Sequence, residues 1–177
     1  MIFAETELPG AYVVELEKRE DDRGFFARSW CEREFREHNL NARTVQCNIS
    51  FNKQKGTLRG MHYQVAPAAE AKLIRCTQGA IYDVIIDLRR ESATFKRYLG
   101  VILAAKNHKM LYVPEGFAHG FQAVEDNSEV FYQMSEYYAP QHARGVRWND
   151  PAFGIDWPII EPIMVDRDRN YPDFIAG

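Results

Sequence analysis

Cysteine is scarce in this 177-residue chain: there are three, Cys31, Cys47 and Cys76. An odd number without C-x-x-C spacing argues against a disulfide framework or a thiolate zinc site and fits a reducing cytoplasm. Long hydrophobic runs are missing too. The most apolar stretch, AIYDVIIDL, is cut by Asp83 and Asp87 and is far too short to span a bilayer, so no membrane association is expected. The N-terminus, MIFAETELPG, has no basic segment ahead of an apolar core, and a secretory signal is not expected. Positive charge is not in excess either. Against 25 Asp and Glu stand 22 Lys and Arg, a formal net charge of −3, which leaves no broad basic footprint for nucleic acid. Local arginines still suffice to hold a phosphate. Nothing repeats and no low-complexity linker divides the sequence, so residues 1–177 read as one domain.

Aromatic residues are plentiful. They make up 13% of a chain that is 46% hydrophobic, which favours strands and an aromatic-lined cavity over a helical bundle. The stretches AYVVELE, FF at 25–26, 44–50, AKLIRCTQG, AIYDVIIDL, YLGVILAA, KMLYVP and EVFYQMSEYY read as strands between turn signals. CEREFREHNL (31–40) alone reads as a helix, ending near Asn39. Within AIYDVIIDL, Ala80, Tyr82, Val84, Ile86 and Leu88 share one apolar face, and Asp83 and Asp87 share a mixed face with Ile81 and Ile85. After Pro140 the pattern loses its period. Eight or more short strands spaced by turns imply an antiparallel all-β sandwich or barrel with one or a few short helices.

Two segments concentrate chemistry. GTLRGMHYQ (56–64) packs Arg59, His62 and Gln64 between apolar residues, and VPEGFAHGFQ (113–122) carries His119. Arg59 and His62 are three residues apart, so a regular strand aims them at opposite faces; a bulge at Gly60 turns both inward. Gln46, Asn48 and Ser50 recur at every second position and share one strand face, either solvated or lining a site. As a metal centre the histidines fall short. Position 64 is Gln where a His-x-His would need a ligand, and only Glu70 offers a nearby carboxylate, against the three protein ligands a catalytic metal wants. No metal or other cofactor is expected. Taken singly, Lys72 reads as a solvated cation, Tyr132 as a core tyrosine with a paired hydroxyl, and Asp168 as part of a charged surface tail.

Together the motifs DDRGFFAR, QCNIS, GTLRGMHYQ, AKLIRCTQGAIYDVIIDLR, VPEGFAHGF, FYQMSEYYAP and GVRWNDPAFGIDWP, in that order, resemble the dTDP-4-dehydrorhamnose 3,5-epimerase family. The resemblance runs from about Asp21 to Asp168. It implies a cupin jelly roll, usually a homodimer that exchanges strands, acting without metal or cofactor on a nucleoside-diphosphate 4-keto-6-deoxyhexose. Inverting a carbon next to a ketone takes a base on one face, a group that holds the enolate, and an acid on the other face. By resemblance His62 is the base, and imidazole, with an ordinary pKa of about 6.5, suits reversible proton transfer. Asp168 orients it, Tyr132 is the acid, and Lys72 stabilises the C4 oxyanion. Arg59, His119, Arg23, Gln46, Cys47, Asn48 and Tyr138 match substrate-binding positions.

The chain departs from the family pattern at four such positions. Arg28 replaces a glutamate, Ala143 another glutamate, Arg167 a lysine and Cys47 an aspartate. Arg28 and Arg167 stay in the expected substrate-binding set. These changes bear on nucleotide recognition rather than proton transfer, and leave a cytidine diphosphosugar open beside the thymidine one. A 3-epimerase acting at C3 alone uses the same residues. The remaining alternatives are a metal-dependent cupin and a sugar-binding jelly roll without activity.

Overall fold

Alternating apolar residues build short strands that cross between two sheets. The computed structural model describes residues 1–175. In chain order the elements are β1 (Ile2–Glu5), β2 (Tyr12–Glu15), β3 (Arg19–Asp21), β4 (Gly24–Phe26), α1 (Glu32–Glu37), β5 (Gln46–Asn52), β6 (Leu58–Gln64), β7 (Lys72–Gln78), β8 (Ala80–Asp87), β9 (Tyr98–Ala104), β10 (Met110–Val113), β11 (Phe117–Ala123), β12 (Ser128–Met134), β13 (Ala143–Gly145) and α2 (Asp166–Arg169). One sheet runs β1-β2-β10-β7-β12-β5, the other β13-β6-β11-β8-β9, and β3-β4 is a separate hairpin. Neighbouring strands are antiparallel throughout these sheets. The two main sheets stay open and face each other, so the fold is the cupin-like sandwich rather than a closed barrel. β1, β3, β13 and α2 are absent from the sequence reading because three or four residues are too short for a period to register, and β11 is absent because it is buried along its whole length and shows no alternation.

The chain changes sheets between β7 and β8 at Gly79, whose φ of +69° suits glycine. A side chain there would collide with Ser128 Oγ, 2.6 Å from the Cβ position. Between the sheets, Ile74, Cys76, Leu111 and Val130 of one meet Ile81, Ile85, Leu103, Phe117 and Phe121 of the other. Each fully buried aliphatic side chain of this kind contributes roughly 1.5–3 kcal/mol. The mixed face of β8 is therefore the interior one. Its even face is buried as well, because Val84 and Ile86 pack with Met61, Ala118, Val146 and Phe153 under the irregular C-terminal segment. That segment has little periodicity because, beyond the three residues of β13, it wraps over a sheet rather than joining one.

On the outer face of the six-stranded sheet, α1 sets Phe35 against Leu73, Met110 and Tyr112. The helix stops as its sequence foretold. Asn39 takes φ +58°, its N–H donates to Arg36 O, and the Leu40 N–H reaches back to Phe35 O. At the far end of β8, buried Asp87 accepts hydrogen bonds from Arg89, Ser92 and Thr94. Burial alone would raise its pKa, but these donors outweigh it and bring it down to about 2. The network pins the β8–β9 connection.

Candidate active site

β6 and β11 lie side by side, and His62 stands directly opposite His119 in register. Between His119 and Phe121 the pairing slips: three steps on β6, from His62 to Arg59, match two on β11. The extra residue is the bulge anticipated at Gly60, and it brings both Arg59 and His62 to one cavity. Gly60 has φ +131°, and its Cα sits so close to β11 that a Cβ would come within 2.5 Å of Gly120 Cα.

Asp168 reaches His62 from the far end of the chain. Ile163 exchanges backbone hydrogen bonds with Gly56 and Leu58, laying the tail beside the start of β6. One turn of helix, α2, then points Asp168 inward. Its Oδ1 lies 2.8 Å from His62 Nε2, and the Gly60 N–H donates to Oδ2 at 3.2 Å. Arg167 Nε donates to the same carboxylate. Burial alone would raise the Asp168 pKa, but the hydrogen bonds from His62, Gly60 and Arg167 hold it below the ordinary aspartate value. Asp168 is only 2% exposed, so its reading as a surface residue is overturned. A charged tail gives no local sign that one carboxylate will be buried a hundred residues from its partner.

The opposite wall comes from the six-stranded sheet. On β12, Tyr132 faces inward, and burial, opposed by the charge of Arg59 and aided by that of Glu70, raises its pKa above the ordinary phenol value. Lys72, the first residue of β7, is buried rather than solvated; its Nζ sits 3.0 Å from Glu70 Oε1 and donates to His62 O. The polar face of β5 also turns inward; Cys47, Ile49 and Phe51 are exposed, the last two at the margin of the larger lobe. Gln46 Nε2 donates to Asn48 Oδ1, and the hydroxyl of Ser50 is buried without a partner among the described residues.

Two adjoining lobes, of about 780 and 370 Å³, share His62, Lys72, Tyr132 and Arg167. His119 and Arg59 belong to the larger, Gln46, Asn48, Tyr138 and Ala143 to the smaller. This chain thus gathers most of the expected set, with His62 and Tyr132 on opposite sheets. It does not gather three members. Arg23 is on the exposed β3–β4 hairpin, bound to Asp21; Arg28 pairs with Glu34 elsewhere; Cys47 points away from both lobes.

Four supporting residues escaped the sequence reading as site members. Asn52 Oδ1 accepts from Arg59 Nε at 2.8 Å, and buried Glu70 holds Lys72. Asp83 binds His119 Nε2 at 2.7 Å. Gln64 clamps the 137–139 loop through Tyr137 O and the Ala139 N–H, which sets Tyr138 at the rim. The mixed face of β8 was the available signal for Asp83. Among the described residues, no group of three or more His, Cys, Asp or Glu side chains is placed to hold a metal ion.

This chain is similar to epimerases of nucleotide-linked deoxysugars. The sequence profile of the dTDP-4-dehydrorhamnose 3,5-epimerase family matches residues 5–175. This chain belongs to that family, and is therefore an isomerase by descent. A dTDP-4-dehydrorhamnose 3,5-epimerase of Shigella flexneri is 40% identical over 99% of this chain and 97% of its own length. The Bacillus anthracis dTDP-4-dehydrorhamnose 3,5-epimerase, solved with TDP and PPi bound, superposes with a TM-score of 0.94 at 44% identity, covering 98% of this chain and 99% of that one. ChmJ, a 3′-monoepimerase from Streptomyces bikiniensis solved with dTDP-quinovose, gives a TM-score of 0.87 at 33% identity over 95% of this chain and 85% of that one.

Proposed function

We propose that this protein inverts C3 and C5 of dTDP-4-dehydro-6-deoxyglucose to give dTDP-4-dehydrorhamnose. The observation that carries this reading is the placement of His62 and Tyr132 on facing sheets where the two lobes meet. The combined space is of the size that takes a nucleotide-sized ligand. Asp168 engages His62 Nε2, which leaves Nδ1 as the nitrogen that removes a proton from C3 or C5. The electrons of the broken C–H bond form the enolate, whose oxygen Lys72 neutralises. The Tyr132 hydroxyl returns a proton to the other face, and a ring flip lets one base–acid pair serve both carbons. Arg59, His119, Arg167, Gln46, Asn48 and Tyr138 bind the rest of the substrate, and no metal or cofactor takes part.

The active form in this reading is a cytoplasmic homodimer, each chain a single domain. Arg23 and Arg28 stand away from their own cavity, while Phe26, Ile49 and Phe51 expose apolar surface on the hairpin and on the edge strand β5. A second copy's hairpin at the cavity mouth covers that surface and supplies the arginines. A solution mass of twice the 20.5 kDa chain is expected by light scattering; a monomer that is fully active contradicts it.

A second reading, epimerisation at C3 alone, gains weight from the likeness to a 3′-monoepimerase. Incubation in D₂O with 4-keto-6-deoxyglucose linked to thymidine or cytidine diphosphate separates the two. Deuterium at both C3 and C5 of the thymidine compound is expected. Label at C3 only selects the second reading, and preference for the cytidine compound overturns the nucleotide assignment.

A further inference from the structure

His119 faces the same space as His62 but has its own carboxylate. Asp83 is fully buried on β8, its Oδ1 2.7 Å from His119 Nε2, and its Oδ2 has no hydrogen-bond partner among the described residues. The titratable and charged groups that share the larger lobe with His119 are Arg59 and His62 on β6, Lys72 on β7, Tyr132 on β12, and Arg167 and Asp168 on α2. Lys72 is held by Glu70, His62 and Arg167 by Asp168, and Arg59 by the amide oxygen of Asn52. Among the described residues the His119 ring is the hydrogen-bond partner of the Asp83 side chain. A buried carboxylate with one oxygen left bare is costly unless its partner is a cation.

We propose that Asp83 is a positioning residue that keeps His119 doubly protonated, so that its second ring N–H donates to the C4 oxyanion beside Lys72. This rests on the epimerase reading and extends it. As His62 removes the carbon-bound proton, the C–H electron pair becomes the C=C bond and the carbonyl π pair moves onto O4. The His119 imidazolium and the Lys72 ammonium receive that charge from two directions by hydrogen bonding, and neither transfers its proton. An oxyanion donor fixed in advance in a water-poor site acts mainly on the transition state, so its loss shows in kcat rather than KM.

The test has two arms. In the first, ¹⁵N-histidine-labelled wild-type protein without substrate is examined by NMR at pH 8. One of the five histidines is expected to show both ring nitrogens protonated, assigned by its disappearance in His119→Gln. A neutral His119 ring overturns the proposal, whatever the enzyme's substrate. In the second, Asp83→Asn is expected to lower kcat by roughly 10²-fold with KM little changed, and to lose the doubly protonated signal. Wild-type kcat in a folded Asp83→Asn protein, or a loss confined to KM, contradicts the assignment. If Asp83→Asn does not fold, the wild-type spectrum decides. Failure of wild-type protein to exchange solvent deuterium into the sugar counts against the epimerase reading and leaves the spectrum to judge Asp83.

Discussion

Replacing His62 with asparagine is expected to lower turnover by about 10²–10⁴-fold, the usual contribution of a positioned general base. The substituted amide is smaller than imidazole and keeps a donor near Asp168, whose Gly60 and Arg167 hydrogen bonds are untouched. The buried carboxylate thus remains paired, and the fold should survive. Lys72, Arg59 and Tyr138 are also unchanged, so nucleotide binding should persist. Loss of solvent deuterium incorporation at the sugar, with dTDP affinity retained by calorimetry, is the expected pattern. Undiminished turnover in His62→Asn would remove His62 from the chemistry.

Tyr132→Phe should separate two events that the wild-type enzyme couples. Proton removal by His62 continues, so C–H exchange with solvent remains detectable, but inversion falls by about 10²-fold or more because the far wall has lost its donor. The returned proton then comes from the face it left. NMR of the sugar in D₂O distinguishes label with retained configuration from label with inverted configuration; full inversion by the variant would exclude Tyr132 as the acid. The direction of its pKa shift adds a pH expectation. Burial lifts the phenol above its ordinary value of 10.0, so Tyr132 stays protonated, and competent as an acid, across the neutral and mildly alkaline range. An alkaline loss of activity well below pH 10 would have to arise from another group.

Much of this was legible in the sequence, and for identifiable reasons. Period-two alternation located β7, β8 and β12, and the glycine between Arg59 and His62 marked the bulge that turns both into the cavity. The alternation of Gln46, Asn48 and Ser50 left two faces to choose from. The structure chooses the inner one and leaves Cys47, Ile49 and Phe51 exposed, Ile49 and Phe51 at the margin of the larger lobe. What could not be read was set by distance along the chain. Nothing near Asp168 announces that a single helical turn will bury it against His62, and Lys72 is taken from solvent by Glu70, which the sequence offered only as a carboxylate for a rejected metal centre. Pairing of Asp83 with His119 depends on β8 and β11 becoming neighbours, which a one-dimensional period cannot specify. Arg23 and Arg28 mark the opposite limit: both stand outside the two lobes, paired with Asp21 and Glu34.

Opposed placement of His62 and Tyr132 across the sugar ring is tested most directly by a crystal structure with a dTDP-linked 6-deoxyhexose lacking the 4-ketone. The hexose is expected at the junction of the lobes, with His62 Nδ1 facing C3 or C5 from one side of the ring and the Tyr132 hydroxyl facing it from the other, each within about 3.5 Å. Both groups on one side of the ring, or a hexose held outside the junction, would contradict it.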